Sequence, residues 1–329
     1  MICRKNTLSY AYQSVKDDLM DLVTIFGGSG FLGRYLVRQL ASKGYFIRVI
    51  TRHPNEALFL RVYGKVGQIQ LLSGDIKEEH KLGYYIRKSD CIINCVATFF
   101  ETRSQSFNNL HVNAARNLAR EAKRQGVNQF IHISSLGASS KSSSLLLKSK
   151  GAGEEAVLDY FPDANIIRPS LIFGNEDTFF NRFAKLSSIS PFIPVVGSNT
   201  KFQPVYVDDV AKAVTLLVES DQRKRYLELG GDETYTFEEL IDMLLSEINR
   251  KRIILKIPFL PARIIASIND FFRLISGGFV PAFLTLAQVK SLENDNLVEL
   301  KTEKFSDLGV VPKKLKIILP NIVNRFKRG

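Results

Sequence analysis

Three glycines define the first chemistry this sequence can do. In VTIFGGSGFLGRYLV, Gly27, Gly30 and Gly33 stand between an apolar, strand-like run and a helix-like one. Glycine allows a tight turn and close approach to the backbone, so a pyrophosphate can rest on the amides of the helix N-terminus. Ser29, Phe31 and Leu32 belong to the same turn. The spacing is G-x-x-G-x-x-G, and its weight comes from lying after a first strand and before a first helix.

The second apolar run ends RVITRHP and places Arg52 about 20 residues past the glycine loop. An acidic residue there would accept from a ribose 2′-hydroxyl. An arginine instead suits a 2′-phosphate, through two parallel hydrogen bonds. NADP(H) is therefore the preferred cofactor, with NAD(H) as the alternative. Asp75 in SGDI is placed to contact an adenine, and Asn94, Val96 and Ala97 in NCVA to line the middle of a dinucleotide. Turn chemistry would account for each equally well. Ser134 and Ser135 end the run QFIHISS, either toward a ligand or satisfying backbone groups. Lys150, in the helical stretch SLLLKSKGAGEEAV, reads as pointing into the nucleotide site.

Positioning such residues requires alternating strands and helices, and the sequence has them. Strand patterns occur at LVTIFG, FIRVIT, IQLLSGD, CIINCVA, QFIHISS and ANIIRPS. Helical patterns lie between them, notably FLGRYLVRQLASKG and NAARNLAREAKRQG, each ending in a glycine suited to a C-cap. Near-continuous apolar strands separated by helices predict an α/β fold, a Rossmann-type doubly wound parallel sheet. Residues 1–20 are expected as an N-terminal tail with no signal-peptide apolar region, 21–174 as the dinucleotide-binding domain, and 175–329 as a smaller, mostly helical C-terminal region. Within the last, about 203–230 is expected to return to the sheet: VYVDDVAKAVTLLVES reads as a strand and a helix, with Asp208 and Asp209 capping that helix rather than touching substrate. Thr236 and Glu239 have capping-box spacing. The apolar segment from Ile253 to Leu292, broken by Pro258, Pro261 and Pro281, is either a docking surface or the closure of that region's own core.

Composition sets the remaining bounds. The 329 residues are 45% hydrophobic and 24% charged, ample for a large core, and no apolar run reaches the roughly 18 residues of a membrane-spanning helix. Cys91 and Cys95, about 13 Å apart along a strand, read as buried small hydrophobes; with Cys3 they make no disulfide framework, which fits a reducing compartment. The four histidines have no metal-ligand spacing, so no metal is expected. The net charge is +12, and residues 301–329 hold eight Lys or Arg against two Asp or Glu. That concentration reads either as a solvated basic tail or as contact with anionic membrane or an acidic partner. Nucleic acid is not expected, because no aromatic-interleaved basic stripe accompanies the charge.

Taken in order, GGSGFLG, GDI, HISS, KGAGE, NIIRPSLIFG and QPVYVDDVAKAV resemble the extended and atypical branches of the short-chain dehydrogenase/reductase superfamily, with its epimerases and dehydratases. TIFGGSGFLGRYLVRQLA, GQIQLL, RPSLIFGNEDTFFNRFA, FQPVYVDDVA and YLELGG are most similar to the branch containing the nucleotide-binding accessory subunit of respiratory complex I and its bacterial relatives. The resemblance runs from about Asp21 to the C-terminus. It implies tight NADPH binding, with Ser134, Lys150 and Pro169 joining the cofactor residues above. It also implies a catalytic set of tyrosine, lysine and serine, which here falls on Leu146, Lys150 and Ser135 (less well Ser134). Leu146 has no proton to give, and there is no tyrosine between Tyr85 and Tyr160 to replace it. General acid–base catalysis contributes about 10²–10⁴-fold, so its loss leaves hydride chemistry slow.

The leading expectation is a non-catalytic NADPH-binding accessory or assembly protein of complex I or the quinone machinery. Its seat would be cytoplasmic, or peripheral on the cytoplasmic face of a bacterial inner membrane, or on the matrix side in a mitochondrion. The competing expectation is a working NADP(H)-dependent reductase, epimerase or dehydratase; a third is a redox sensor with different partners in NADP⁺ and NADPH.

Overall fold

A computed structural model describes residues 21–102, 105–220, 223, 226–275, 284–299 and 302–328, with 272–275 as backbone alone. The expected tail at 1–20 lies outside them. The first half runs β1 (Leu22–Phe26), α1 (Phe31–Ser42), β2 (Phe46–Thr51), β3 (Ile69–Ser73), α2 (Glu79–Tyr85), β4 (Cys91–Asn94), α3 (Ala114–Arg124), β5 (Gln129–Ile133), α4 (Leu145–Tyr160) and β6 (Asn165–Pro169). The second half runs β7 (Ile172–Phe173), α5 (Phe179–Ile189), β8 (Phe192–Val196), β9 (Lys201–Phe202), β10 (Val205–Tyr206), α6 (Val207–Glu219), β11 (Tyr226–Leu229), β12 (Tyr235–Thr236), α7 (Phe237–Glu247), β13 (Ile253–Ile257), α8 (Phe259–Ile275), α9 (Leu286–Ser291) and α10 (Leu315–Val323).

Seven strands form one parallel sheet in the order β3-β2-β1-β4-β5-β6-β11. Apolar side chains fill both faces because parallel strands joined by helices are covered on each side. Ile25, Ile93 and Leu36 belong to one core, and Phe26, Ile92, Leu118 and Phe130 to the other. The chain reverses direction across the sheet between β1 and β4, which opens a crevice at their carboxyl ends. Register brings Phe26, Asn94 and His132 side by side at that edge. Gly44 and Gly126, at φ +94° and +69°, follow α1 and α3 where side chains would be strained.

Beyond the sheet, the second region is mostly helical, as its sequence predicts. Among the described residues it also contains three two-stranded ribbons, β7–β10, β9–β12 and β8–β13, beside its helices. Two-residue strands carry no periodicity, so only distant pairing reveals them. A third core unites this region: Phe180, Ile193, Leu240 and Leu244 pack with Leu315, Leu319 and Ile322 of α10. Residues 315–323 are therefore no solvated tail, a correction that follows from the buried face of α10. Thr236 and Glu239 form the predicted capping box of α7. Asp208 and Asp209 sit in the first turn of α6, two and three positions after the N-cap at Tyr206, so neither is the cap its sequence predicts. Asp208 there accepts from Gln39 of α1, and Asp209 from the Lys313 amide.

Candidate functional site

The strand-to-helix turn after β1 is built around its glycines. Gly27 has φ +79°, and a Cβ there would come within 3.1 Å of the backbone of Cys95, just past β4. A Cβ on Gly33 would collide with the Gly27 carbonyl. Gly30 opens α1 with no side-chain cap, leaving first-turn amides available to an anion. The turn borders a cleft of about 450 Å³.

Of the sequence-predicted residues, Gly27, Ser29, Gly30, Arg52, Asp75, Val96 and Ala97 line this cleft. Arg34, His53 and Lys77 join them without having been anticipated. Arg34 follows the third glycine directly, and its guanidinium lies 4.8 Å from the centroid of the Phe59 ring and 3.5 Å from Glu176. Arg52 is exposed, and its guanidinium has no hydrogen-bond or ion-pair partner among the described residues. Asp75 stays 3.5 Å from Lys77 and accepts from its amide, so its turn role is real whatever else it does. The cleft thus joins an open helix N-terminus to two arginines, an arrangement suited to phosphate.

The other predicted residues lie elsewhere. Leu32 and Gly33 are buried, Phe31 packs edge-on against Tyr35, and the Pro169 carbonyl accepts from the Leu136 amide. Asn94, Ser134, Ser135 and Lys150 belong to a buried polar cluster further along the sheet edge. Lys150, on α4, is 7% exposed and donates to the Ser134 carbonyl at 3.2 Å. Burial pulls its pKa down to about 8, with Glu154 one turn later opposing the shift. Asn94 holds the Val96 amide with its oxygen and donates to His132 Nδ1 at 3.2 Å. The hydroxyls of Ser134 and Ser135 are buried with no hydrogen-bond partner among the described residues. Such orphans are costly unless something else satisfies them.

Two histidines in this cluster escaped sequence reasoning, since neither has motif spacing. Burial, reinforced by the charge of Lys150, pushes His132 and His111 down to about 3. His111 Nε2 accepts from the Thr98 amide at 3.0 Å. Its proton therefore sits on Nδ1 and goes to Ser149 Oγ at 2.8 Å, which in turn donates to the Leu146 carbonyl. Both ring nitrogens are committed, so His111 has no proton to offer. Leu146 itself is 6% exposed and packs against Phe107 and Ala287. Ser144 Oγ donates to the Ala287 carbonyl at 2.8 Å and ties α9 over the start of α4. Among the described residues, the groups touching Lys150 or acting on it electrically are Ser134, Glu154, His111, His132 and the Phe99 ring, with no tyrosine among them.

The NAD dependent epimerase/dehydratase family matches residues 23–230. Over 94% of this chain and 78% of the relative, the sequence is 36% identical to NADH dehydrogenase (ubiquinone) 1 alpha subcomplex subunit 9, mitochondrial, of Arabidopsis thaliana. The Mus musculus protein of the same name is 33% identical over 93% of this chain and 80% of its own. In fold, the chain is similar to DesIV, a dTDP-glucose 4,6-dehydratase of Streptomyces venezuelae solved with NAD and TYD bound. The TM-score is 0.68 at 19% identity, covering 93% of this chain and 96% of that one.

Proposed function

Because the chain belongs to the NAD-dependent epimerase/dehydratase family, we propose that it is an NADPH-binding accessory protein of respiratory complex I or the associated quinone machinery, without efficient turnover. The observation that carries this reading is Leu146, sealed beneath α9 one helical turn before Lys150. The relatives named as complex I subunits support the partner, and the glycine cradle with its orphan serines supports the dinucleotide.

In this reading the amides after Gly30 receive the pyrophosphate, and Arg52 with Arg34 receives the 2′-phosphate. Lys150, Ser134 and Ser135 lie on the nicotinamide side, where the orphan hydroxyls gain partners. The nicotinamide would supply hydride chemistry; the chain supplies grip and orientation but no acid. Binding then serves the fold, because a ligand held only by the native state stabilises it by about 4 kcal/mol at a thousandfold excess over Kd. We place the protein on the cytoplasmic side of a bacterial inner membrane, or on the matrix side in a mitochondrion.

Calorimetric titration with NADPH and NADH tests the cofactor assignment. NADPH should bind more tightly, and Arg52→Ala should weaken it about 10–100-fold while leaving NADH nearly unchanged. Equal loss for both nucleotides would refute the 2′-phosphate role.

A further inference from the structure

Among the described residues, nothing covers one apolar surface of the second region. On the β8–β13 ribbon, Phe192 pairs with Ile253 and Pro194 with Leu255. Phe192, Ile253 and Leu255 are 45%, 58% and 44% exposed, while Ile193 and Val195 on the other side of β8 are fully buried. Through Pro258 the ribbon runs into α8, whose Ala262 and Ala266 close a small core with Val196 and Val289. Its outer side carries Leu260, Ile264 and Ile268, a stripe at helical spacing that is 52–69% exposed. A helix apolar on both faces is ordinarily buried on both.

Charge says what lies opposite. Residues 250–292 hold seven Lys or Arg against one Asp, a net +6, and residues 301–329 carry another +6. These two segments account for the whole +12, leaving the remainder of the chain neutral. The fold brings them together. The Arg328 amide donates to the Ile248 carbonyl at 3.0 Å, and Arg250 Nε reaches the Phe326 carbonyl at 3.4 Å. The basic C-terminus therefore sits at the base of the ribbon, beside exposed Lys251. Among the described residues no helix is long and apolar enough to cross a membrane.

We infer that the outer face of β8–β13 and α8 rests on an anionic lipid surface, the isoleucines entering the acyl boundary and the flanking cations meeting the headgroups. A second copy of the chain would set the same positive field against itself. The inference does not depend on the cofactor reading.

Flotation of the full chain with phosphatidylcholine vesicles, and with vesicles one third phosphatidylglycerol, tests it. Binding should favour the anionic vesicles and weaken with added salt. The double variant Ile264→Ser with Ile268→Ser should lose about tenfold or more in affinity. Both positions are exposed, so thermal unfolding should barely change. Lys251→Glu with Lys327→Glu should cost about fivefold per charge on anionic vesicles alone. Val66→Ser, an exposed apolar position outside this face, should change nothing. Indifference to lipid charge, or wild-type binding by the isoleucine variant, would overturn the inference. So would failure to bind any vesicle, the result expected if a protein covers this face.

Discussion

His132 lies at the buried end of the site. It is 5% exposed, and burial holds it and His111 neutral down to about pH 3. Unfolded histidine titrates near 6.5, so between those values the unfolded chain binds protons that the fold refuses. Stability therefore falls as pH drops through that window, at up to about 1.4 kcal/mol per pH unit for each histidine. Urea unfolding at pH 7 and pH 5 should show the loss, and His132→Asn should flatten roughly half of it. At this scale Gly27, Gly30 and Arg52 were legible, because a turn and a strand end have local signatures. Arg34 was missed although it adjoins the third glycine, and the histidines were missed because only folding brings them to Lys150.

Among the elements, the seam between α4 and α9 sets the room around Leu146. Leu146 fills a niche formed by Phe107 and Ala287, so a larger side chain must push the helices apart. Leu146→Tyr should destabilise the protein by about 1–3 kcal/mol, read as a lower Tm, while leaving NADPH affinity nearly intact. The strand–turn–helix around Gly27 and the six first strands were legible from apolar runs of ordinary length. The cover that α9 places over α4 was not. Ser144 and Ala287 are 143 residues apart, and no local pattern links them. The short ribbons were hidden for the same reason, whereas the Thr236–Glu239 cap, a contact across three residues, was plain.

For the whole molecule, Arg168 joins the regions. It grips Glu154 on α4 through two hydrogen bonds of 3.0 and 2.6 Å and lies 3.5 Å from Glu228 on β11. Glu228 in turn accepts from the Glu299 amide and the Thr302 hydroxyl, fastening the late chain to the sheet. Both glutamates are almost wholly buried, so Arg168→Ala would strand their charges at a cost of about 3–5 kcal/mol, measurable by denaturant unfolding.

We propose that the chain holds a dinucleotide beside no usable acid. The most direct test loads the full chain with one equivalent of NADPH, removes the excess, and follows the near-ultraviolet absorbance of the reduced ring in the presence of carbonyl, quinone and sugar-nucleotide compounds. The nucleotide should stay bound and reduced. Rapid oxidation with turnover, abolished by Lys150→Ala, would mark the protein as a working enzyme instead.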